Sequence, residues 1–217
     1  MIEVLTNPNK FFEARMKGEE SLRIPVLIIL ISGIISGISV FLMSSIMMEA
    51  MSKTLPPEAQ GFISFMPIGG AIGAFVGSFI VWVVIAAIFF GISWLFKGSG
   101  TFRRTLEFVG YGYIPMIISG IISAVLVYNF ISTVQIPVVT DPRKIAEAIA
   151  PLMKSPLMQL STVIGILFML WSANIWVFGL KHARNLSTRD ALLTVAIPVA
   201  IYILVLLTRD PTSFGVM

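Results

Sequence analysis

The sequence predicts an all-α polytopic membrane protein, a bundle of five transmembrane helices with short interfacial helices, and three observations predict it. Of 217 residues, 57% are hydrophobic and only 12% charged, against roughly 25% charged in a soluble domain. With a mean hydropathy of +0.94, so much apolar surface requires lipid as its solvent. Five apolar runs, each bounded by charge, reach the roughly 20 residues that a helix needs to cross about 30 Å of hydrocarbon. The runs are also continuous, whereas a membrane barrel alternates over strands of about ten residues.

Residues 1–23 hold eight charges. Within them, Pro8 to Lys17 sets Phe11, Phe12 and Met16 among Lys10, Glu13, Arg15 and Lys17, the pattern of a short helix on the cytoplasmic leaflet. The first span is expected over Ile24 to Met48. It far exceeds the roughly 7–15-residue core of a cleaved signal peptide, so it is read as a retained anchor. The second lies within the uncharged stretch 59–96, where Pro67, Gly69 and Gly70 mark a surface segment ahead of one long helix from about Ile68. The third is expected from about Phe108 to Ile131, the fourth from about Leu157 to Leu180, and the fifth from Ala191 to Thr208. Pro198 predicts a kink in the last. Between the third and fourth spans, Asp141 caps a helix with Pro142 in its first position. Ile145, Ile149, Leu152 and Met153 would share its buried face, at the outer surface or across the bundle mouth. Ser187, with Asp190 three residues on, forms a capping box for the fifth helix. The resulting organisation is a cytoplasmic segment 1–23, a transmembrane domain 24–208 and a short tail 209–217.

Orientation follows from lysine and arginine counts. Ten lie on one side: Lys10, Arg15, Lys17 and Arg23 before the first span, then Lys97, Arg103 and Arg104, then Lys181, Arg184 and Arg189. The other side holds five, Lys53, Arg143, Lys144, Lys154 and Arg209. This puts the N-terminus in the cytoplasm and the C-terminus outside.

Several function classes find no chemistry here. There is no cysteine, hence no disulfide, thiolate metal site or thiol nucleophile. A single histidine, His182, cannot supply the paired ligands of a His-Glu-x-x-His protease. No acid pair is placed for an aspartyl dyad, and no glycine-rich phosphate loop ends in Lys-Ser or Lys-Thr. The reading is a non-enzyme, with no catalytic residue, no metal and no cofactor. The net charge of +4 is scattered over short loops, a topology signal rather than a nucleic-acid track. Glu107, Asp190, Lys97 and Lys181 sit at span boundaries, which leaves Asn174 as the polar residue most costly to bury; another helix is its expected partner.

Glycines at four-residue spacing let helix backbones approach closely in lipid. Gly69, Gly73 and Gly77 form such a ridge on the second span, Gly33 and Gly37 on the first, and Gly120 with Ala124 on the third. The expectation is packing within one chain, the alternatives a seam with a second copy or a substrate groove. The strings Ile31 to Phe41 and Ile118 to Tyr128 read alike, although their flanks do not align.

The connection from Phe96 to Pro115 reads FKGSGTFRRTLEFVGYGYIP, with Lys97, a glycine-rich turn, an aromatic, the pair Arg103–Arg104, then Gly110, Tyr111, Tyr113 and Pro115. Together with Trp171 to Leu193 and the opening Asn7 to Met16, it resembles the Yip domain family, membrane proteins named for interaction with Ypt and Rab GTPases. The resemblance implies five spans with the N-terminus inside. Eukaryotic members resembling this chain carry a long cytoplasmic N-terminal domain; the 23 residues ahead of the first span here look like a short prokaryotic-type member, which implies a plasma membrane. The function expected is that of a non-enzymatic organiser of protein or lipid partners, in trafficking or in the envelope. Its contact surface would be the basic face of Lys97, Arg103, Arg104, Lys181 and Arg184, with Tyr111 and Tyr113 in the headgroup zone. Membrane lipids, a cytoplasmic or membrane protein, and a second copy are the partners considered. The competing reading is a small transporter or channel, with a path between the glycine-rich helices of the second and third spans or beside Asn174.

Overall fold

A computed structural model describes residues 2–52, 61, 64–134, 150–152 and 154–208. Among the described residues it contains the helices α1 (Ile2–Thr6), α2 (Pro8–Met16), α3 (Arg23–Ser52), α4 (Met66–Leu95), α5 (Phe102–Tyr111), α6 (Ile114–Thr133), α7 (Pro156–Ala183) and α8 (Thr188–Thr208). Five segments are long and apolar enough to cross a membrane: Arg23–Ile46, Met66–Leu95, Phe102–Thr133, Pro156–Ala183 and Thr188–Thr208. The chain is thus an all-α polytopic bundle. The loop helix expected from Asp141 lies largely outside the described residues.

Local chemistry explains where the helices begin. Asn7 caps α2 by accepting the Lys10 amide at 3.2 Å, with Pro8 in the first turn, where a missing N–H costs nothing. Pro67 lies in the first turn of α4, which starts two residues before the expected Ile68, and Gly69 and Gly70 lie inside the helix. Ser155 caps α7 through the Met158 amide. Ser187 caps α8: its hydroxyl accepts the Asp190 amide at 3.1 Å and donates to the Asp190 carboxylate at 2.7 Å, so Asp190 meets the cap's hydroxyl rather than the backbone amide that would complete a capping box. Pro198 stands inside α8.

One boundary differs from expectation. The third span does not start as a straight helix near Phe108. It is preceded by α5, a separate amphipathic helix capped by Thr101, and the chain turns at Gly112–Tyr113 before α6. A Cβ on Gly112 would fall within 2.0 Å of the Trp176 indole nitrogen, so only glycine lets α5 end against α7.

In the spanning part, α3 packs most extensively on α4 and α6, and α7 on α6 and α8. Gly33 and Gly37 bring α3 against Phe75 and the Ala71 carbonyl of α4, and Gly120 brings α6 against Ile35. Outward faces are apolar, with Ile72, Ile80, Leu167 and Ile201 exposed, as a lipid-facing surface should be. The buried apolar core gathers at one end, around Phe12, Phe89, Phe108, Ile175, Trp176 and Leu180. That end carries α1, α2, α5, the α4–α5 turn and the α7–α8 turn, and is termed the capped end below.

Candidate functional site

The polar chemistry of the chain is concentrated in the cap, in two networks. The first is centred on Glu107 of α5, whose side chain is fully buried. Arg104, one turn earlier, donates to its Oε2 at 2.9 Å, and Arg15 of α2 stands 2.7 Å from its Oε1. The Ser21 amide adds a second donor at 3.3 Å. Arg104 also reaches the Gly18 carbonyl at 2.7 Å and lies beside Glu20, which accepts from the Thr101 hydroxyl. A buried carboxylate is costly unless it is paired and hydrogen-bonded; here two guanidinium groups pair with it, Arg104 and the Ser21 amide bond Oε2, and Oε1 meets Arg15 as an ion pair without hydrogen-bond geometry. The network stitches residues 15–21 to α5. Apolar contacts complete the seam: Phe12 packs on Phe108 with ring centroids 4.6 Å apart, and Phe11 meets Tyr111 edge-on at 5.1 Å. Asn9 lies 3.2 Å from the Lys181 Nζ and 3.0 Å from His182 Nε2, and the Trp171 indole donates to the Leu5 carbonyl.

The second network is centred on Arg184, almost fully buried just past α7. Its Nε donates to Ser93 Oγ at 2.8 Å, Nη2 to the Gly98 carbonyl at 2.8 Å, and Nη1 to the Gly100 carbonyl. The guanidinium also lies 4.0 Å from the centroid of the Phe90 ring. Burial holds its pKa below the usual arginine value, yet a guanidinium remains charged in a protein. Ser99 returns its amide to the Arg184 carbonyl at 2.9 Å. One side chain therefore ties the α4–α5 turn to the end of α7. Gly100 has φ 111°, and a Cβ there would meet the Ala183 carbonyl at 2.4 Å; both facts demand glycine.

Both turns leave their helices in the same way. After α4, the Gly98 amide bonds the Ser93 carbonyl and the Lys97 amide that of Trp94; after α7, Leu186 bonds Lys181 and Asn185 bonds His182. This is the Schellman pairing, whose pivotal residue is left-handed and usually glycine. Here the pivots are Lys97 at φ 58° and Asn185 at φ 52°. Asparagine tolerates that region, whereas lysine is strained in it.

Two indoles clamp α5 from the neighbouring spans. Trp82 donates to the Leu106 carbonyl at 3.0 Å and Trp176 to that of Val109 at 2.8 Å. Tyr113 Oη and Ser172 Oγ are buried without a hydrogen-bond partner among the described residues.

The residues expected to form a basic contact face are divided by this geometry. Lys97 and Arg103 are exposed and Lys181 is half-buried. Arg104 and Arg184, expected at the surface, are buried inside the cap, because each finds carbonyl or carboxylate partners there. Tyr111 and Tyr113 are buried as well, displaced from a headgroup zone by the α1–α2 segment and by Trp176. Asn174, expected to be buried against a helix, is exposed on the wall of a groove between α7 and α8 with Leu192 and Val195. Of the ridge glycines, Gly33, Gly37 and Gly120 pack against neighbouring helices, while Gly69, Gly73 and Gly77 have nothing within 4 Å of a built Cβ among the described residues. Sequence reasoning missed Glu107 and Arg15 as a pair. The signal was present: Arg104, Glu107, Phe108 and Tyr111 recur at three- and four-residue steps, one face of a helix.

The fold and the cap define an integral, multi-pass helical membrane protein with a structured polar end. The sequence profile of the Yip1 domain matches residues 2–209, and the chain belongs to the Yip1 domain family. It is also similar to an uncharacterized protein of Methanocaldococcus jannaschii, 39% identical over 128 residues that cover 59% of this chain and 88% of that one. No solved structure matches the chain.

Proposed function

We propose that the protein is a non-enzymatic membrane adaptor that organises protein or lipid partners at its capped end, which faces the cytoplasm. The observation that carries this reading is Lys97. It occupies a left-handed pivot where glycine is the ordinary residue, it is exposed, and the rigid Arg184 network fixes the turn that presents it. Strained backbone persists where surrounding structure over-determines it, and such sites cluster where a side chain has a task. Arg103 is exposed on the helix that follows the same turn, and partner recognition by basic side chains on a rigid scaffold needs no mobile site. The transporter reading draws less support, because Asn174 lies on a groove between α7 and α8 whose other lining residues are almost all apolar.

The test combines Lys97→Gly with cysteine accessibility, which the absence of native cysteine makes clean. Lys97→Gly relieves the strained pivot and is expected to raise stability by about 1 kcal/mol, read by thermal unfolding in detergent, while in-cell cross-linking through Arg103 loses its partner bands. Single cysteines at Ser99 and Ser155 are expected to react with an impermeant thiol reagent from opposite faces of oriented vesicles, Ser99 from the cytoplasmic one. Cysteines at Ser119 and Ser172 are expected to stay inert. Strong labelling at the last two would mean a water-filled path and a transport function instead.

A further inference from the structure

A cleft of about 650 Å³ opens beside the cap, where the α2–α3 connection passes α5, and Glu19, Glu20, Arg23, Val26 and Arg103 are among its lining residues. Its charges are unequally engaged. Glu20 accepts from Thr101 and lies beside Arg104. Glu19, Arg23 and Arg103 are exposed, and none forms an ion pair among the described residues. Two unneutralised guanidinium groups, from elements 80 residues apart in the chain, therefore share one opening with one unneutralised carboxylate.

The depth of the cleft is as informative as its charge. Arg23 is the first residue of the first membrane-crossing segment. Directly beyond it, Ile24, Val26, Leu27 and Leu30 are exposed apolar residues of α3. The opening thus straddles the level where hydrocarbon gives way to headgroups. Arginine is the side chain best suited to phosphate, because its planar donors match phosphate oxygens in pairs. A carboxylate in the same opening opposes a purely anionic headgroup and favours one that also carries a cation.

From this arrangement we propose that the cleft binds one phospholipid with an amine-bearing headgroup. The phosphate is held by Arg23 and Arg103, the ammonium group faces Glu19, and an acyl chain runs down the exposed face of α3. The inference rests on the reading above only in taking the capped end to lie at a lipid surface. It shares Arg103 with that reading but involves neither Lys97 nor a protein partner, and lipid binding by the purified protein is read without any partner present, so either can fail alone.

The experiment is native mass spectrometry of the full-length protein in detergent, titrated in turn with phosphatidylethanolamine and phosphatidylglycerol. Glycerophosphoethanolamine serves as a soluble competitor with the same phosphate and amine but no acyl chains. One phosphatidylethanolamine per chain is expected, in preference to phosphatidylglycerol and undisturbed by equimolar competitor. The double variant Arg23→Gln, Arg103→Gln should weaken it about a hundredfold, about tenfold for each charge-assisted hydrogen bond lost. Glu19→Gln should erase the preference between the two lipids while leaving phosphatidylglycerol binding intact. All three side chains are exposed and unpaired, so melting temperatures should match the unsubstituted protein. Unchanged phosphatidylethanolamine binding in the double variant would overturn the site. Equal binding of the two lipids would overturn the amine assignment, and effective displacement by glycerophosphoethanolamine would reassign the cleft to a soluble phosphate ester.

Discussion

At the capped end, α4 and α7 meet around a buried guanidinium that touches three acceptors, and α2 meets α5 across a buried carboxylate with two cations. Toward the far end, α3 and α4 meet through Gly33 and Gly37. Among the described residues, a side-chain hydrogen bond crosses between spans there from Ser161 to Ser123, at 3.0 Å. The difference follows from the solvent. Between helices in hydrocarbon there is no hydrophobic force, so close backbone packing does the work. At the membrane boundary water returns, and burying Val4, Phe12 and Phe108 beneath the N-terminal helices is favourable again. Polar groups sealed under that layer then act at low dielectric, where a satisfied network is rigid and an incomplete one is costly.

The largest contrast should come from breaking one buried charge. Glu107→Ala leaves Arg104 inside the cap without its carboxylate, and stability in detergent is expected to fall by about 3–5 kcal/mol. Calorimetry or thermal scanning would read this; a melting temperature close to that of the unsubstituted protein would mean that the cap is not where the bundle is held. A pair of glycines sharpens the comparison at intermediate scale. Gly112→Ala forces a methyl into the Trp176 indole and should cost about 1–3 kcal/mol. Gly73→Ala meets open space and should stay within about 1 kcal/mol of the original, on the favourable side through helix propensity. The indole fluorescence of Trp176 should shift in the first variant alone. The smallest effect is expected from Ser161→Ala, which removes the far-end hydroxyl pair for about 0.6 kcal/mol, measured by the same unfolding curves.

The spans were legible because apolar length is a one-dimensional property, visible without any knowledge of neighbours. The Ser187–Asp190 cap was legible for the same reason, because it acts within one turn. The cap networks were not, since they depend on which distant residues are brought together. Arg104 and Arg184 read as surface charges because most arginines are, and their carbonyl partners at Gly18, Gly98 and Gly100 leave no mark on a sequence. Tyr111 read as a headgroup-level ring until α2 was seen to lie over it. The glycine ridges were half legible: spacing predicts that a face is smooth, but not whether another helix lies on it, so Gly33 and Gly37 are in contact and Gly69, Gly73 and Gly77 are not. Lys97 at positive φ is invisible in sequence, because nothing but the Schellman geometry requires that torsion.

The Asn9 contact has a consequence for how the protein is made. Asn9 is synthesised well before its partners Lys181 and His182, which follow it by 172 and 173 residues. Arg184 must likewise close on Ser93, 91 residues behind it. Throughout the insertion of four spans, Val4 and Phe12 therefore wait without their full docking surface, at the membrane edge where an amphipathic segment can rest. The cap can close only once the end of α7 has emerged. Emergence of the fourth span is thus recorded in the α1–α2 segment, and a nascent chain halted before that point would display that segment undocked to whatever surveys unfinished membrane proteins.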